Sequence, residues 1–344
     1  MAKRIGDPAQ TRRGGGGVTM ADIGRLAGVS QVTVSRALST PAKVSPETLQ
    51  RIQDAIRQTG YVPNAVAGAL ASSKSNLIAA LVPSVTNIVY SSMLHAFSEI
   101  MWGHGYQIMF SETGFDLDRE ENAIGAHLSR RPDAMLLTGV RHSPGARRML
   151  INAGIPVVEV WDITDTPIDC CVGFSHVNAG VTTADFAVGA GYLHAATITA
   201  GDERALRRRD AFAARFGKRL GTAVNGVDFA VSASLGLGRQ ALAQLVEQGL
   251  PPKTVLFCSS DQFAQGVLIE ATARGLSVPK DVAVIGFGDQ EFAASTEPAL
   301  TSVRIDRQVL GQVAANALVD RFAASPTLAA VHDVGLELVR RASA

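Results

Sequence analysis

Behind a polar, glycine-rich start, apolar residues recur at helical spacing in three short blocks. The first places Ile23, Leu26 and Ala27 on one face, with Thr19 as N-cap and Asp22 in the first turn. Gly28 can take the left-handed conformation that ends a helix in a tight turn, and Val29 fills the inside of that turn. Ser30 then caps a second helix, Gln31 to Leu38. Its Val34, Ala37 and Leu38 point inward, while Gln31, Val32, Ser35 and Arg36 fall on the opposite side. A third helix has Ser45 as N-cap and Pro46 in its first turn. It runs through Leu49, Ile52 and Ile56 and stops at Gly60. The pattern predicts an all-α headpiece with a helix-turn-helix at its front, whose outward side chains can reach base edges or phosphates.

From Leu77 the pattern changes to apolar runs alternating with amphipathic stretches. Strands are predicted at 77–83, 106–110, 134–138 and 157–160, with helices near 90–103, 117–129 and 144–153. A second set follows, with strands at 195–199, 254–258 and 282–287 and helices near 177–189, 204–219, 236–248 and 261–274. Such alternation argues parallel sheets with helices on both faces. Two such sets predict a two-lobed α/β body, like that of periplasmic binding proteins, with ligand in the crevice at the strand C-termini.

Charge sharpens this division. Net charge is +1, but residues 1–76 hold ten Lys/Arg against four Asp/Glu, and the remainder 22 against 27. A basic front on an acidic body suits a front that meets phosphate. Residues 1–17 carry Arg12 and Arg13 beside four consecutive glycines and are expected to be a disordered basic tail. That start has no apolar core, and no apolar run approaches ~20 residues, so a membrane span and a secretory signal are not expected and a cytoplasmic location is. Cys170, Cys171 and Cys258 lack the spacing of a disulfide framework or zinc site and should be reduced and buried.

Candidate chemistry is sparse. Gly236-Leu237-Gly238 only loosely matches a dinucleotide turn, and no GxSxG, HExxH or P-loop is present. The histidines lack metal-ligand spacing, and His142, His194 and His332 read as surface or turn residues. No enzyme, cofactor or metal is therefore expected. Loops behind the strands are the better candidates for ligand contacts.

The runs AGVSQVTVSRAL and GYVPNAVAGAL resemble the lactose/galactose repressor family (LacI type). The resemblance extends from about Val18 to the end, through NAGIPVVEV, SSDQFAQGVLIEATARGLSVPKDVAVIGFGD and PALTSVRID. It implies a headpiece at 18–62, a hinge helix at 63–76 and an effector-binding, dimerising body at 77–344. Lobe 1 would comprise about 77–176 and 305–330, and lobe 2 about 177–304 and 331–344. Operator DNA would be met by Thr19, Ser30, Gln31, Val32, Thr33, Ser35 and Arg36 of the headpiece and by Asn64, Ala67 and Leu70 of the hinge. Leu70 matches the family's minor-groove wedge, which bends DNA to gain contact. Effector contacts would come from Ser84, Asn87 and Tyr90 behind the first strand and Thr138 and Arg141 behind the third. The second lobe would add Arg208, with Arg204 as second candidate, and Asp261 and Asp289. The neighbouring Arg207 and Arg209 read as a solvated helix face.

Arg141, Arg204 and Arg208 around one pocket favour an anionic sugar derivative, because guanidinium pairs with carboxylate. The runs PSVTNIVY, HGYQIM and LTGVRHSP look most like gluconate-utilisation repressors, which makes gluconate or a related sugar acid the expected effector. A leucine-heptad tail is absent, so a homodimer is expected. Two other classes fit less well. A transport-type binding protein has no use for the headpiece, and a sugar-processing enzyme needs an acid/base pair that the sequence does not show.

Overall fold

The computed structural model describes residues 17–64, 74–323 and 329–344. Residues 1–16 of the expected tail, and Ala67 and Leu70 of the expected hinge, lie outside the described residues. The chain divides into two compact units, residues 1–75 and 76–344.

The first unit holds α1 (Met20–Ala27), α2 (Gln31–Ser39) and α3 (Pro46–Thr59). Thr19 caps α1 in a reciprocal box with Asp22, and Gly28 ends it with a φ of 67°. Ser30 and Ser45 cap the other two helices through the backbone N–H groups of Thr33 and Thr48. Ile23, Ala27, Val34, Ala37, Ile52 and Ala55 form the core. Two leucines depart from the inward placement read from spacing: Leu26 is 57% exposed and Leu38 37%. Ala27, Ala37 and Ala55, half of this core, let the helices come close, and these two leucines lie at its rim.

The second unit contains two six-stranded sheets. The first lobe is built from β1 (Leu77–Val82), α4 (Ile88–Gly103), β2 (Gln107–Glu112), α5 (Leu117–Leu128), β3 (Ala134–Thr138), α6 (Pro144–Ala153), β4 (Val157–Val160) and β5 (Cys170–Gly173). The chain then builds the second from α7 (His176–Gly189), β6 (His194–Ala200), α8 (Glu203–Leu220), β7 (Asn225–Phe229), α9 (Leu235–Glu247), β8 (Thr254–Cys258), α10 (Asp261–Ala273), β9 (Val282–Phe287) and β10 (Thr301–Arg304). It returns through α11 (Arg307–Phe322) and β11 (Val331–Asp333), and β12 (Glu337–Val339) closes the second sheet. Strand order is β11-β5-β4-β3-β1-β2 in one sheet and β12-β10-β9-β8-β6-β7 in the other. Among the described residues, only the β10–β12 pairing is antiparallel.

One lobe boundary differs from the sequence reading. Val331–Asp333 pairs with β5 in the first sheet, so the span 331–344 is shared between lobes. The strands buried on both faces (β1, β3, β4, β8 and β9) are the continuous apolar runs legible in the sequence. Edge strand β7, Asn225–Phe229, has no such run and escaped notice. Gly238 is no phosphate turn: it lies inside α9, where a Cβ would stand 2.3 Å from the carbonyl oxygen of Phe263 on α10. All three cysteines are free and buried.

Candidate functional site

A cavity of about 560 Å³ opens between the lobes, walled by the C-terminal ends of the central strands. The first turns of α4, α7, α8 and α10 all reach it, through Asn87 and Tyr90, His176, Arg204, and Ser260 and Gln262. Helix N-termini carry partial positive charge, so the wall favours an anion before any side chain is considered.

Arg208 dominates this wall. Its position follows from the packing of α7 on α8: at Gly180 an added Cβ would stand 2.3 Å from the carbonyl oxygen of Arg208, so only glycine lets the helices approach this closely. The Arg208 guanidinium lies 3.8 Å from the centre of the Phe287 ring. One terminal nitrogen donates to Nδ1 of His176 at 2.8 Å, the other to the carbonyl of Ser259 at 3.1 Å, and Nε has no partner. The residue is 5% exposed, and among the described residues no carboxylate lies within ion-pair distance of it. Burial pulls its pKa down to about 10.

His176 is neutral. Burial, with the charges of Arg208 and Arg204 beside it, holds its pKa well below the ordinary value. Because Nδ1 accepts from Arg208, Nε2 carries the proton and donates to the carbonyl of Trp161 at 2.9 Å. Arg204 completes the cationic wall, donating to the Tyr90 hydroxyl at 3.1 Å and packing over Phe115.

The structure thus brings Asn87, Tyr90, Arg204 and Arg208 together in one cavity. Thr138 and Arg141 line an adjoining hollow of about 430 Å³, where Arg141 pairs with Glu203 at 3.3 Å. Ser84 lines neither and bonds to Thr86.

Both acids expected in the site are occupied elsewhere. Asp261 is fully buried and accepts hydrogen bonds from Ser302 Oγ and the Gln290 backbone N–H, each at 2.6 Å. Burial raises its pKa to about 6, and its task is to hold the turn behind β9. Asp289 turns away with a φ of 44° and pairs with Arg304 and Arg341, at 2.7 and 2.6 Å. Gln290, one residue on, lines the cavity instead.

Other wall residues were missed or misread from sequence. Trp161 and Asp202 stand directly behind β4 and just past β6, where the strand-end rule would place contacts. Arg207 is more than a solvated side chain: one-third exposed, it pairs with the buried Asp162. His142 is likewise no surface residue. Its imidazole is 1% exposed and held between Glu120 and Glu159. Burial opposes its charge, but the hydrogen bonds to both carboxylates outweigh this and raise its pKa to about 9. Its local sequence, a turn before Pro144, gave no sign of two carboxylates brought from α5 and β4.

In the first unit, Gln31, Val32, Ser35 and Arg36 form an exposed face on α2, with Val32 65% exposed. Arg36 makes no ion pair among the described residues. Thr19, Ser30 and Thr33 sit at helix starts with their hydroxyls engaged in capping bonds, and Asn64 is exposed behind α3.

Comparison with known proteins bears on both units. Residues 19–64 match the model for bacterial regulatory proteins of the lacI family, and residues 184–344 that for a periplasmic binding protein-like domain. The HTH-type transcriptional regulator GntR of Pseudomonas aeruginosa is 35% identical over 328 residues, covering 94% of this chain and 95% of that protein. The regulator of the same name from Escherichia coli K12 is 30% identical, covering 93% and 96%. A solved structure of a LacI-family transcriptional regulator from Silicibacter pomeroyi superposes with a TM-score of 0.89 at 30% identity, over 95% of this chain and 99% of that one. Among the described residues, no helix is long and apolar enough to cross a membrane.

Proposed function

The chain belongs to the lacI family of bacterial regulatory proteins, a family of DNA-binding transcriptional regulators, and we propose that it is a homodimeric repressor released from or held on its operator by a sugar acid bound between the lobes. The observation that carries this reading is Arg208. A guanidinium buried at the wall of a cavity, with no carboxylate within ion-pair distance among the described residues, is costly unless a ligand supplies the anion. Hydroxyls of the same ligand find Asn87, Ser260, Gln262 and Gln290 around the wall. A carboxylate with a polyhydroxyl tail meets both demands, and gluconate is the ligand we assign.

In this reading the exposed face of α2 reads bases, with Arg36 and Gln31 supplying donors and Val32 an apolar contact. Helix N-termini and basic side chains grip phosphates and set the register. Two headpieces then require a near-palindromic operator. The effector needs only ~1–3 kcal/mol of preference between two lobe arrangements to change operator occupancy.

Gel-shift titration of the full chain on operator DNA, with and without gluconate, tests both halves. The expected result is specific binding whose midpoint moves with gluconate. Binding that gluconate and other sugar acids leave unmoved would overturn the effector half, and equal affinity for scrambled DNA the operator half.

A further inference from the structure

Two residues behind β4 stand at the only place where α8 is tied to the first lobe by a buried carboxylate among the described residues. Trp161 has a φ of 71°, a left-handed conformation that a bulky residue rarely adopts. That twist presses Asp162 against β5, where Gly173 makes room: a Cβ there would stand 2.3 Å from the Asp162 carbonyl oxygen. The carboxylate is thereby fixed in the first lobe, with Oδ1 accepting from the backbone N–H of Ile163 at 2.9 Å. Its other oxygen accepts from Arg207 on α8 in the second lobe, and the carboxylate is 2% exposed.

The same corner is also bonded to the effector wall. The Trp161 carbonyl accepts from His176, whose other ring nitrogen accepts from Arg208, the residue next to Arg207. A closed circuit therefore runs Arg208, His176, Trp161, Asp162, Arg207 and back along α8. We propose that the Trp161–Asp162 corner is a positioning device that sets Arg208 for its anion and couples occupancy of the cavity to the arrangement of the lobes. Asp162 and Arg207 touch no effector in this scheme. They act through Arg208, and the role rests on the sugar-acid reading only for its ligand arm.

Trp161 itself reports on the corner. The chain has two tryptophans, and Trp102 is 53% exposed, so Trp102→Phe leaves Trp161 as the sole indole emitter. In that background, full-length Asp162→Asn, Arg207→Gln and the double variant are compared by acrylamide quenching without ligand, and by calorimetry with gluconate. Each single variant should raise the quenching constant of Trp161 at least ~2-fold and weaken gluconate at least ~10-fold, and the double variant should be no worse than either single one, because the pair acts as a unit. Arg209→Gln, whose partners are Asp210 and Asp228, should change neither. Circular dichroism confirms that each variant is folded.

Quenching constants unchanged in both single variants, or losses of affinity that simply multiply in the double variant, would overturn the proposal. If the unsubstituted chain ignores gluconate, the effector assignment fails while the quenching arm still decides whether the corner ties the lobes.

Discussion

Replacing Arg208 by Met separates function from stability in opposite directions. The guanidinium is buried, and burial pulls its pKa down to about 10, well below the ordinary arginine value. Holding it charged at neutral pH therefore costs the unliganded fold on the order of 3 kcal/mol. Met fills much of the same volume over Phe287 without that charge, but it gives up the bonds to His176 and Ser259, about 1 kcal/mol each. The net is a gain of about 1 kcal/mol, a rise in melting temperature of ~1–2 °C for a protein of this size. Gluconate binding should fall by about 3 kcal/mol, or ~150-fold, because a buried carboxylate would lose its charge-assisted partner. Loss of the neighbouring positive charge should also raise the His176 pKa, visible in its NMR titration. Calorimetry with gluconate and thermal denaturation of the full chain, run side by side, read the two effects. A variant that melts several degrees lower while binding gluconate within about threefold of the parent would refute the reasoning, since Arg208 would then be a structural cation rather than a waiting counter-ion.

Other outcomes follow from the same structure. Arg36→Ala should cost ~1–3 kcal/mol of discrimination between operator and mismatched DNA, measured by competition gel shift, and leave gluconate affinity unchanged. Ser30→Ala removes the cap of α2 and should destabilise the headpiece by about 1 kcal/mol in denaturant titration. The raised pKa of His142 makes stability pH-dependent: its contribution is complete below the ordinary value of 6.5 and is lost as pH rises through about 9. Melting temperature should therefore fall across that window, and His142→Asn should flatten the fall. A profile identical in both proteins would show that the charge on His142 contributes nothing.

Much of the architecture was legible in the chain because its signals are local. Helix starts follow from Thr19, Ser30 and Ser45, whose hydroxyls satisfy backbone donors within three residues. Buried strands declare themselves as short apolar runs, and β5 and β7, at four and five residues with little pattern, do not. The exposed face of α2 could be read because helical spacing alone sorts Gln31, Val32, Ser35 and Arg36 from Val34 and Ala37. Arg208 and Tyr90 could be placed from their strand-end and helix positions together with the family resemblance.

What no local signal carried is how charges were shared out. Asp261 and Asp289 stand behind strands, as effector ligands would, yet Ser302 and the Gln290 backbone claim the first and Arg304 and Arg341 the second. His142 meets Glu120 and Glu159 from two other elements, and Arg207 meets Asp162 across the cleft. A charged side chain near a pocket is free for a ligand only when nothing else in the fold neutralises it, and that partner can lie far off in sequence, 52 residues for Asp289 with Arg341 and 62 for Arg141 with Glu203. The sequence by itself determined the elements, the two-part plan and the residue types at the strand ends. Tertiary structure alone decided which of those charges were already spent on the fold and which one, Arg208, was left facing the cavity, because charge pairing depends on distance through space and not along the chain.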